Sequence, residues 1–297
     1  MKVLITGVNG QLGNALLNSL PEKIDLIQTN RNNFDLNDHE KCKQSLEELN
    51  PDWVINCAAF TNVDQAENNP KEAYSINAYG PLAIAEALLK KKGKLLQIST
   101  DYVFDGNGNS PYKTSHKKSP LGVYGASKSL GEDNVLGRLK NKDKIIVLRT
   151  SWLMGSIGKN FALTILKLLK EGKDISVIYD QIGSPTTTDS LASACWAIIK
   201  SKEVFNSFNN EDPIMHWADA GIASWYDIAV SIQELAFELN LLKETRSIKP
   251  IKSKEYKGAL AKRPHYSVLD CDKTYDILNL KKKHWRNNIK NLLKNIN

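Results

Sequence analysis

The sequence predicts an α/β protein: a doubly wound parallel sheet followed by a smaller C-terminal lobe. Three observations carry this. Short apolar runs without polar alternation recur through the first half, as expected for strands buried on both faces. Longer helical patterns separate these runs, so successive strands run parallel through right-handed crossovers. A glycine turn, TGVNGQLGN at 6–14, joins the first run directly to the first helical pattern.

In order, VLIT (3–6) reads as a buried strand and QLGNALLNSL (11–20) as a helix. IDLIQT (24–29) is a second strand, and WVINCAA (53–59), behind Pro51–Asp52, a third. Residues 71–91 form a long helix with Ala83, Ala87 and Leu88 on its apolar side. KLLQIS (94–99) is a strand, 125–140 a helix and KIIVLRT (144–150) a strand. Beyond 150 the alternation loosens. NFALTILKLLKEG (160–172) is a helix with a glycine stop, and DISVIYDQ (174–181) a strand. DSLASACWAIIKS (189–201) is a helix with Asp189 at its N-cap, and SWYDIAVSIQELAFEL (224–239) another helix. The expected division assigns 1–150, with a returning segment near 175–212, to the sheet domain. Residues 151–174 and 213–297 form the lobe. Neither repeats nor low-complexity linkers interrupt the chain, so the two parts should pack together around a cleft.

Composition narrows the function. The chain has 297 residues, 41% hydrophobic and 25% charged, as in an ordinary soluble globular protein. The opening MKVLITG is too short for a signal-peptide core or a membrane span, which points to the cytoplasm. Cys42, Cys57, Cys195 and Cys271 form no CxxC pair, and the five histidines show no ligand spacing, so no metal is expected. The net charge of +7 is partly local to KKKHWRNNIKNLLK near the end. That stretch reads as a solvated amphipathic helix with Trp285, Ile289, Leu292 and Leu293 on one face, not as a nucleic-acid or membrane anchor. The basic balance favours anionic small molecules.

Gly7, Gly10 and Gly13 sit where a dinucleotide-binding fold needs them. One allows the tight turn, one lets backbone approach a pyrophosphate, and one lets helix and strand pack closely. The helix N-terminus then faces the anion. The sheet is therefore Rossmann-type, although the spacing is GxxGxxG and not GxGxxG. The second strand ends at Thr29–Asn30–Arg31, where an NAD-selective site would place an acid. Arg31 instead suits a 2′-phosphate, which favours NADPH, with NADH as the alternative reductant. Asp35 and Leu36 would then flank the adenine. The plainer alternative leaves Arg31 as a solvated loop cation.

GVYGASKS at 122–129 places Tyr124 and Lys128 four residues apart on one helical face. An ammonium beside a phenol favours the phenolate and lowers its pKa, which makes the phenol a usable acid. Ser99 and Thr100 close a preceding strand at its carboxyl end, the edge where open α/β sheets bind ligands.

The segments TGVNGQLG, AAFTNVDQAE, STDYVFDG, VYGASK, RTSWLMG, DQIGSPT and RPHYSVLD extend the pattern in order to about residue 280. Together they resemble the extended short-chain dehydrogenase/reductases and, within them, the dTDP-4-dehydrorhamnose reductase branch. The resemblance implies NADPH-dependent reduction of the C4 ketone of dTDP-4-dehydro-L-rhamnose to dTDP-L-rhamnose. Tyr124 would donate the proton, Lys128 would lower its pKa and hold the nicotinamide ribose, and Thr100 would bond the sugar oxygen. Thr100, Asp101 and Trp152 fall at substrate positions. Gly10, Gln11 and Leu12 fall on the pyrophosphate turn, and Ala58, Ala59 and Thr61 on the third strand's cofactor edge. The smaller lobe becomes the substrate-binding lobe. Asp180, Gln181 and Pro185 read as shaping the lobe junction. Arg263 and Ser267 either touch the thymidine diphosphate or tie the lobe down. Some relatives form a metal-bridged dimer through a glutamate on the first helix. Ala15 stands there, so no metal requirement is expected and a homodimer stays open. Tyr266 replaces the amide of the usual RPxNS. Two alternatives stand: another nucleotide-ketosugar reductase or epimerase, and a non-catalytic NADP-binding regulatory subunit.

Overall fold

Alternate residues of the first strand enter different cores, as a strand buried on both faces requires. Val3 and Ile5 pack with the first helix (Gln11–Asn18) and with the helix Thr188–Lys200. Leu4 packs on the opposite face with Leu46, Ile84 and Leu88. The computed structural model describes residues 1–137, 144–208, 211–258 and 260–296. Among them, β1 (Lys2–Thr6), β2 (Asp25–Gln28), β3 (Trp53–Asn56), β4 (Lys94–Thr100), β5 (Ile145–Thr150) and β6 (Ile214–Trp217) form one sheet in the order β6-β5-β4-β3-β1-β2. All its pairings are parallel. The order reverses between β1 and β3, so the crevice for a ligand opens at their carboxyl ends.

The division between sheet and lobe differs from the expected one in two places. Ile175–Ile178 does not return to the sheet. It pairs with Ile248–Ile251, and Val177 joins Ile165, Leu169 and Ile232 in the lobe's own core. Conversely, β6 lies within the stretch expected in the lobe, yet it pairs with β5 and buries Met215 and Trp217 in the sheet's core. The helix Asp272–Leu278 follows it there: the Tyr275 hydroxyl donates to the Ala218 carbonyl at 2.8 Å.

Helix boundaries shift for identifiable reasons. The helix expected over 71–91 is three pieces: Pro70–Tyr74, a π-turn at Ser75–Tyr79, and Gly80–Lys90. The turn serves Asn77, whose side-chain oxygen accepts from the Phe60 amide at 2.8 Å and whose amide donates to Ser127 Oγ at 3.0 Å. A Cβ on Gly131 would lie 2.2 Å from the Asn77 carbonyl oxygen, so only glycine permits this approach. The helix expected over 125–140 runs from Val123 to Gly137, and residues 138–140 lie outside the described residues. The helix after Thr187 starts one residue earlier than expected, leaving Asp189 in the first turn and not at the cap. The C-terminal helix Trp285–Lys294 buries Trp285, Ile289, Leu292 and Leu293, and its Arg286 and Lys290 pair with Glu234 and Glu238. No helix among the described residues is long and apolar enough to cross a membrane.

Candidate active site

The glycine turn closes as its spacing demands. Gly7 has φ +66°, and a Cβ on Gly13 would lie 2.4 Å from the Gly7 carbonyl oxygen. Gly10 caps the first helix without a capping side chain, and no acid occupies the first turn. The positive end of that helix is thus left for an anion. The Thr6 hydroxyl donates to Asn56 Oδ1 at 2.6 Å and accepts from the Ala58 amide at 3.0 Å, which joins the ends of β1 and β3.

A cleft of about 710 Å³ runs along this edge. Gly7, Gly10, Gln11, Leu12, Gly13, Arg31, Asp35, Leu36, Ala58, Ala59 and Thr61 line it, as do Thr100, Asp101, Tyr124, Lys128 and Trp152. The expected catalytic, cofactor and sugar residues therefore lie on one surface. Arg31 and Gln11 are tied to other elements. Arg31 Nη2 donates to Glu72 Oε1 at 3.1 Å, and its Nε lies 3.9 Å from Asp35 Oδ2. Gln11 Oε1 accepts from the Gly155 amide at 3.1 Å and from Asn160 Nδ2 at 2.9 Å, tying the turn to the lobe.

Thr100 ends β4. Its hydroxyl donates to Asp101 Oδ1 at 3.0 Å, and the Tyr124 phenol lines the same part of the cleft. Burial pushes the Tyr124 pKa up to about 12; the Thr100 hydroxyl opposes the rise and the Asp101 charge adds to it. Lys128 is buried, and its Nζ donates to the Ile98 carbonyl oxygen at 2.6 Å. Burial pulls its pKa down to about 8, with the Glu132 charge working against that fall. The expected lowering of the phenol pKa by the lysine is thus not found. The ammonium is directed to a backbone carbonyl, and desolvation governs the phenol. Asp101, 1% exposed, is raised to about 6 by burial. Ser267 and Thr100 oppose this, yet neither Asp101 Oδ2 nor Ser267 Oγ has a well-formed hydrogen bond.

Beneath these residues lies a buried charge network that the sequence reading missed. Arg149 donates to both Glu132 oxygens, at 2.9 and 2.7 Å. Ser99, next to Thr100, donates to Glu132 Oε1 at 2.6 Å. Burial works to raise the Glu132 pKa, but Arg149 holds it below the ordinary value. Burial, with the Arg149 charge, drives His216 down to about 3, so it packs as a neutral ring beside the guanidinium.

The lobe supplies aromatic lining. Trp152 stacks on Trp225 with centroids 3.7 Å apart and 7° between planes, and Phe161 leans on Trp225 at 4.6 Å. Trp225, Phe161, Glu72 and Tyr102 line the cleft and were missed. Only the aromatic N-terminus of 224–239 hinted at Trp225. Asp180, Gln181, Pro185, Arg263 and Ser267 lie off the lining. Asp180 accepts from the Ser253 amide at 2.8 Å and hydroxyl at 2.6 Å. Arg263 donates to Asp64 Oδ2 at 2.8 Å, while Asp64 Oδ1 accepts from the Leu260 and Ala261 amides. Arg263 thus ties the C-terminal segment to the first turn of the helix Val63–Asn68. Among the described residues, no three His, Cys, Asp or Glu side chains are grouped to hold a metal ion.

Known proteins resemble this chain along its whole length. The family model for the RmlD substrate binding domain matches residues 1–297. The spore coat polysaccharide biosynthesis protein SpsK of Bacillus subtilis is 37% identical over 98% of this chain and 96% of its own. The dTDP-4-dehydrorhamnose reductase of Aggregatibacter actinomycetemcomitans is 34% identical over 98% of each chain. A crystal structure of dTDP-4-dehydrorhamnose reductase from Bacillus anthracis in complex with NADP superposes with a TM-score of 0.87 at 34% identity, covering 99% of this chain and 98% of that one. With a match over its full length and the fold in common, the chain belongs to the RmlD substrate binding domain family, alongside the dTDP-4-dehydrorhamnose reductases.

Proposed function

We propose that the protein reduces the C4 ketone of dTDP-4-dehydro-L-rhamnose to give dTDP-L-rhamnose, the last step in making that nucleotide sugar, with NADPH as reductant. The observation that supports this best is the sharing of one cleft by the glycine turn and by Thr100, Tyr124 and Lys128. The residues fit a dinucleotide: the uncapped positive helix end suits a pyrophosphate, and Arg31 suits a 2′-phosphate. NADPH, when bound, supplies the hydride that reaches C4.

The chain's own residues handle the proton. With a pKa of about 12, the Tyr124 phenol holds its proton at neutral pH and gives it up only to a stronger base. The nascent alkoxide at C4 is such a base, so transfer runs downhill. Thr100 turns its single O–H from Asp101 to that oxygen and then to the phenolate left behind, which offsets the cost of a buried charge. Lys128 has three N–H donors, of which Ile98 takes one. The others are assigned to the nicotinamide ribose. Asp101 and Trp152 are assigned to the sugar.

All these groups come from a single chain, so the reading needs neither a second copy nor a macromolecular partner. It places the reaction in the cytoplasm, in keeping with four cysteines that are all unpaired. The test is NADPH consumption with dTDP-4-dehydro-L-rhamnose generated in situ from dTDP-glucose. Stoichiometric oxidation with formation of dTDP-L-rhamnose is expected. NADPH that binds but is not consumed would overturn the reductase reading in favour of an epimerase or a non-catalytic subunit.

A further inference from the structure

Trp152 has φ +48°, in the left-handed region that a bulky residue occupies only when its surroundings hold it there. Those surroundings are unusually specific. Its indole lies flat on Trp225, 3.7 Å away. Its edge crosses Gly183 so closely that a Cβ there would meet Trp152 Cε2 at 2.5 Å. Its carbonyl accepts from the Thr186 amide at 3.3 Å. Trp225 is itself fixed. Its indole N–H donates to Gln181 Oε1 at 3.1 Å, and Gln181 is anchored to Ser253 at 3.1 Å. A capping box between Ser224 and Asp227 sets the start of its helix. Phe161 supports it from the side. A pair needed only for packing would be buried. Both indoles are instead half-buried and line the cleft that holds Tyr124 and Thr100.

We infer that Trp225 is a positioning residue that holds Trp152 as a flat platform for the apolar ring face of the nucleotide-linked deoxysugar. An aromatic face suits a ring that presents C–H groups and a methyl, and stacking two indoles fixes that face at little conformational cost. Trp225 acts through Trp152 and sets the fit at the sugar end. It leaves the cofactor end, formed by other elements, untouched. The inference rests on the proposed reading only for the class of sugar.

The test compares Trp225→Ala and Trp225→Phe with the unaltered full-length protein. It reads the affinities for dTDP-L-rhamnose, dTDP and NADPH by calorimetry, and the far-ultraviolet exciton couplet that face-to-face indoles give. Expected for Trp225→Ala are loss of the couplet and dTDP-L-rhamnose binding weakened roughly tenfold or more, as displacement of an aligned group commonly costs. Binding of dTDP and NADPH should stay within about twofold, and Trp225→Phe should retain most of the sugar-dependent affinity. Equal weakening for dTDP-L-rhamnose and dTDP, or no weakening of either, would overturn the inference. Loss of NADPH binding alongside would do the same, because it would mark a merely structural role. Failure of the reductase reading is distinguishable: the unaltered protein would bind dTDP-L-rhamnose more tightly than dTDP yet leave NADPH unconsumed.

Discussion

The Lys128 ammonium donates to the Ile98 carbonyl oxygen at 2.6 Å, a bond that fixes a buried charge at the base of the cleft. Burial lowers its pKa to about 8, well below the ordinary value for a lysine. The ammonium is therefore present below about pH 8 and lost above it. If it holds the ribose, the NADPH dissociation constant should rise as pH passes through about 8. Lys128→Met should bind NADPH roughly tenfold or more weakly and lose that dependence, as expected for a charge-assisted bond. Titrations across this range check it. Wild-type binding that is flat from about pH 6 to 9 would separate Lys128 from the cofactor.

Tyr124 and Thr100 line one cleft, with Thr100 at the carboxyl end of β4. Tyr124→Phe removes the proton and keeps the ring, so folding and NADPH affinity should hold. The turnover number should fall by about 10²- to 10⁴-fold, the usual worth of a positioned general acid. Steady-state kinetics with direct cofactor titration decide it. A variant with near-normal turnover would transfer the role to another group.

The parts of this site that the sequence disclosed are those encoded locally. Gly7, Gly10 and Gly13 mark a turn by spacing alone, and Tyr124 and Lys128 share a face because four residues make about one helical turn. What stayed hidden depends on pairing across the chain. Glu132 and Arg149 sit on a helix and a strand, 17 residues apart, and neither signals its partner. β6 is four residues that carry a histidine; its place is set by pairing with β5, not by a local pattern. Spacing points to a lowered Tyr124 pKa whereas burial raises it, because the degree of desolvation follows from packing, which spacing does not reveal.

The Glu132–Arg149 pair gives a stability prediction. Both side chains are about 1% exposed, so removing either partner strands a buried charge. Arg149→Met alone should cost about 3–5 kcal/mol, whereas replacing both residues with apolar ones of similar volume should recover much of the loss. Lys118, 3.3 Å from Glu132 Oε2, will soften the single variant somewhat. Denaturant unfolding of the two single variants and the double reads the coupling. Additive losses would show the pair to be energetically independent.

Arg31 meets Glu72 and Asp35 at the cofactor end, so a 2′-phosphate must share it with two carboxylates. The Arg31 side chain is 70% exposed, which limits what each contact is worth. Arg31→Ala should lower the NADPH-over-NADH preference by roughly tenfold. Glu72→Gln should move it the other way by a few-fold, because it removes a competitor. Competition assays with both cofactors test the pair of variants together. A preference unmoved by Arg31→Ala would make Arg31 a solvated loop cation.

Asp101 should leave a mark on the pH dependence of stability. Its carboxyl is raised from 3.8 to about 6, first by burial, with Ser267 and Thr100 opposing. The folded state therefore binds this proton more tightly than the unfolded chain does. The resulting contribution to stability is fully present below about pH 4 and is lost as pH rises through about 6. A shift of about two units corresponds to about 3 kcal/mol at most, and the group is too buried for solvent to screen much of it. Asp219 is also raised by burial and adds in the same direction, so the comparison must be between variants and not within the wild type. Asp101→Asn removes the titration and keeps the shape. Relative to wild type, it should gain up to about 3 kcal/mol more at about pH 7 than at about pH 4. Urea unfolding at the two pH values measures that difference, and an equal effect at both would mean that Asp101 titrates no differently in the folded protein.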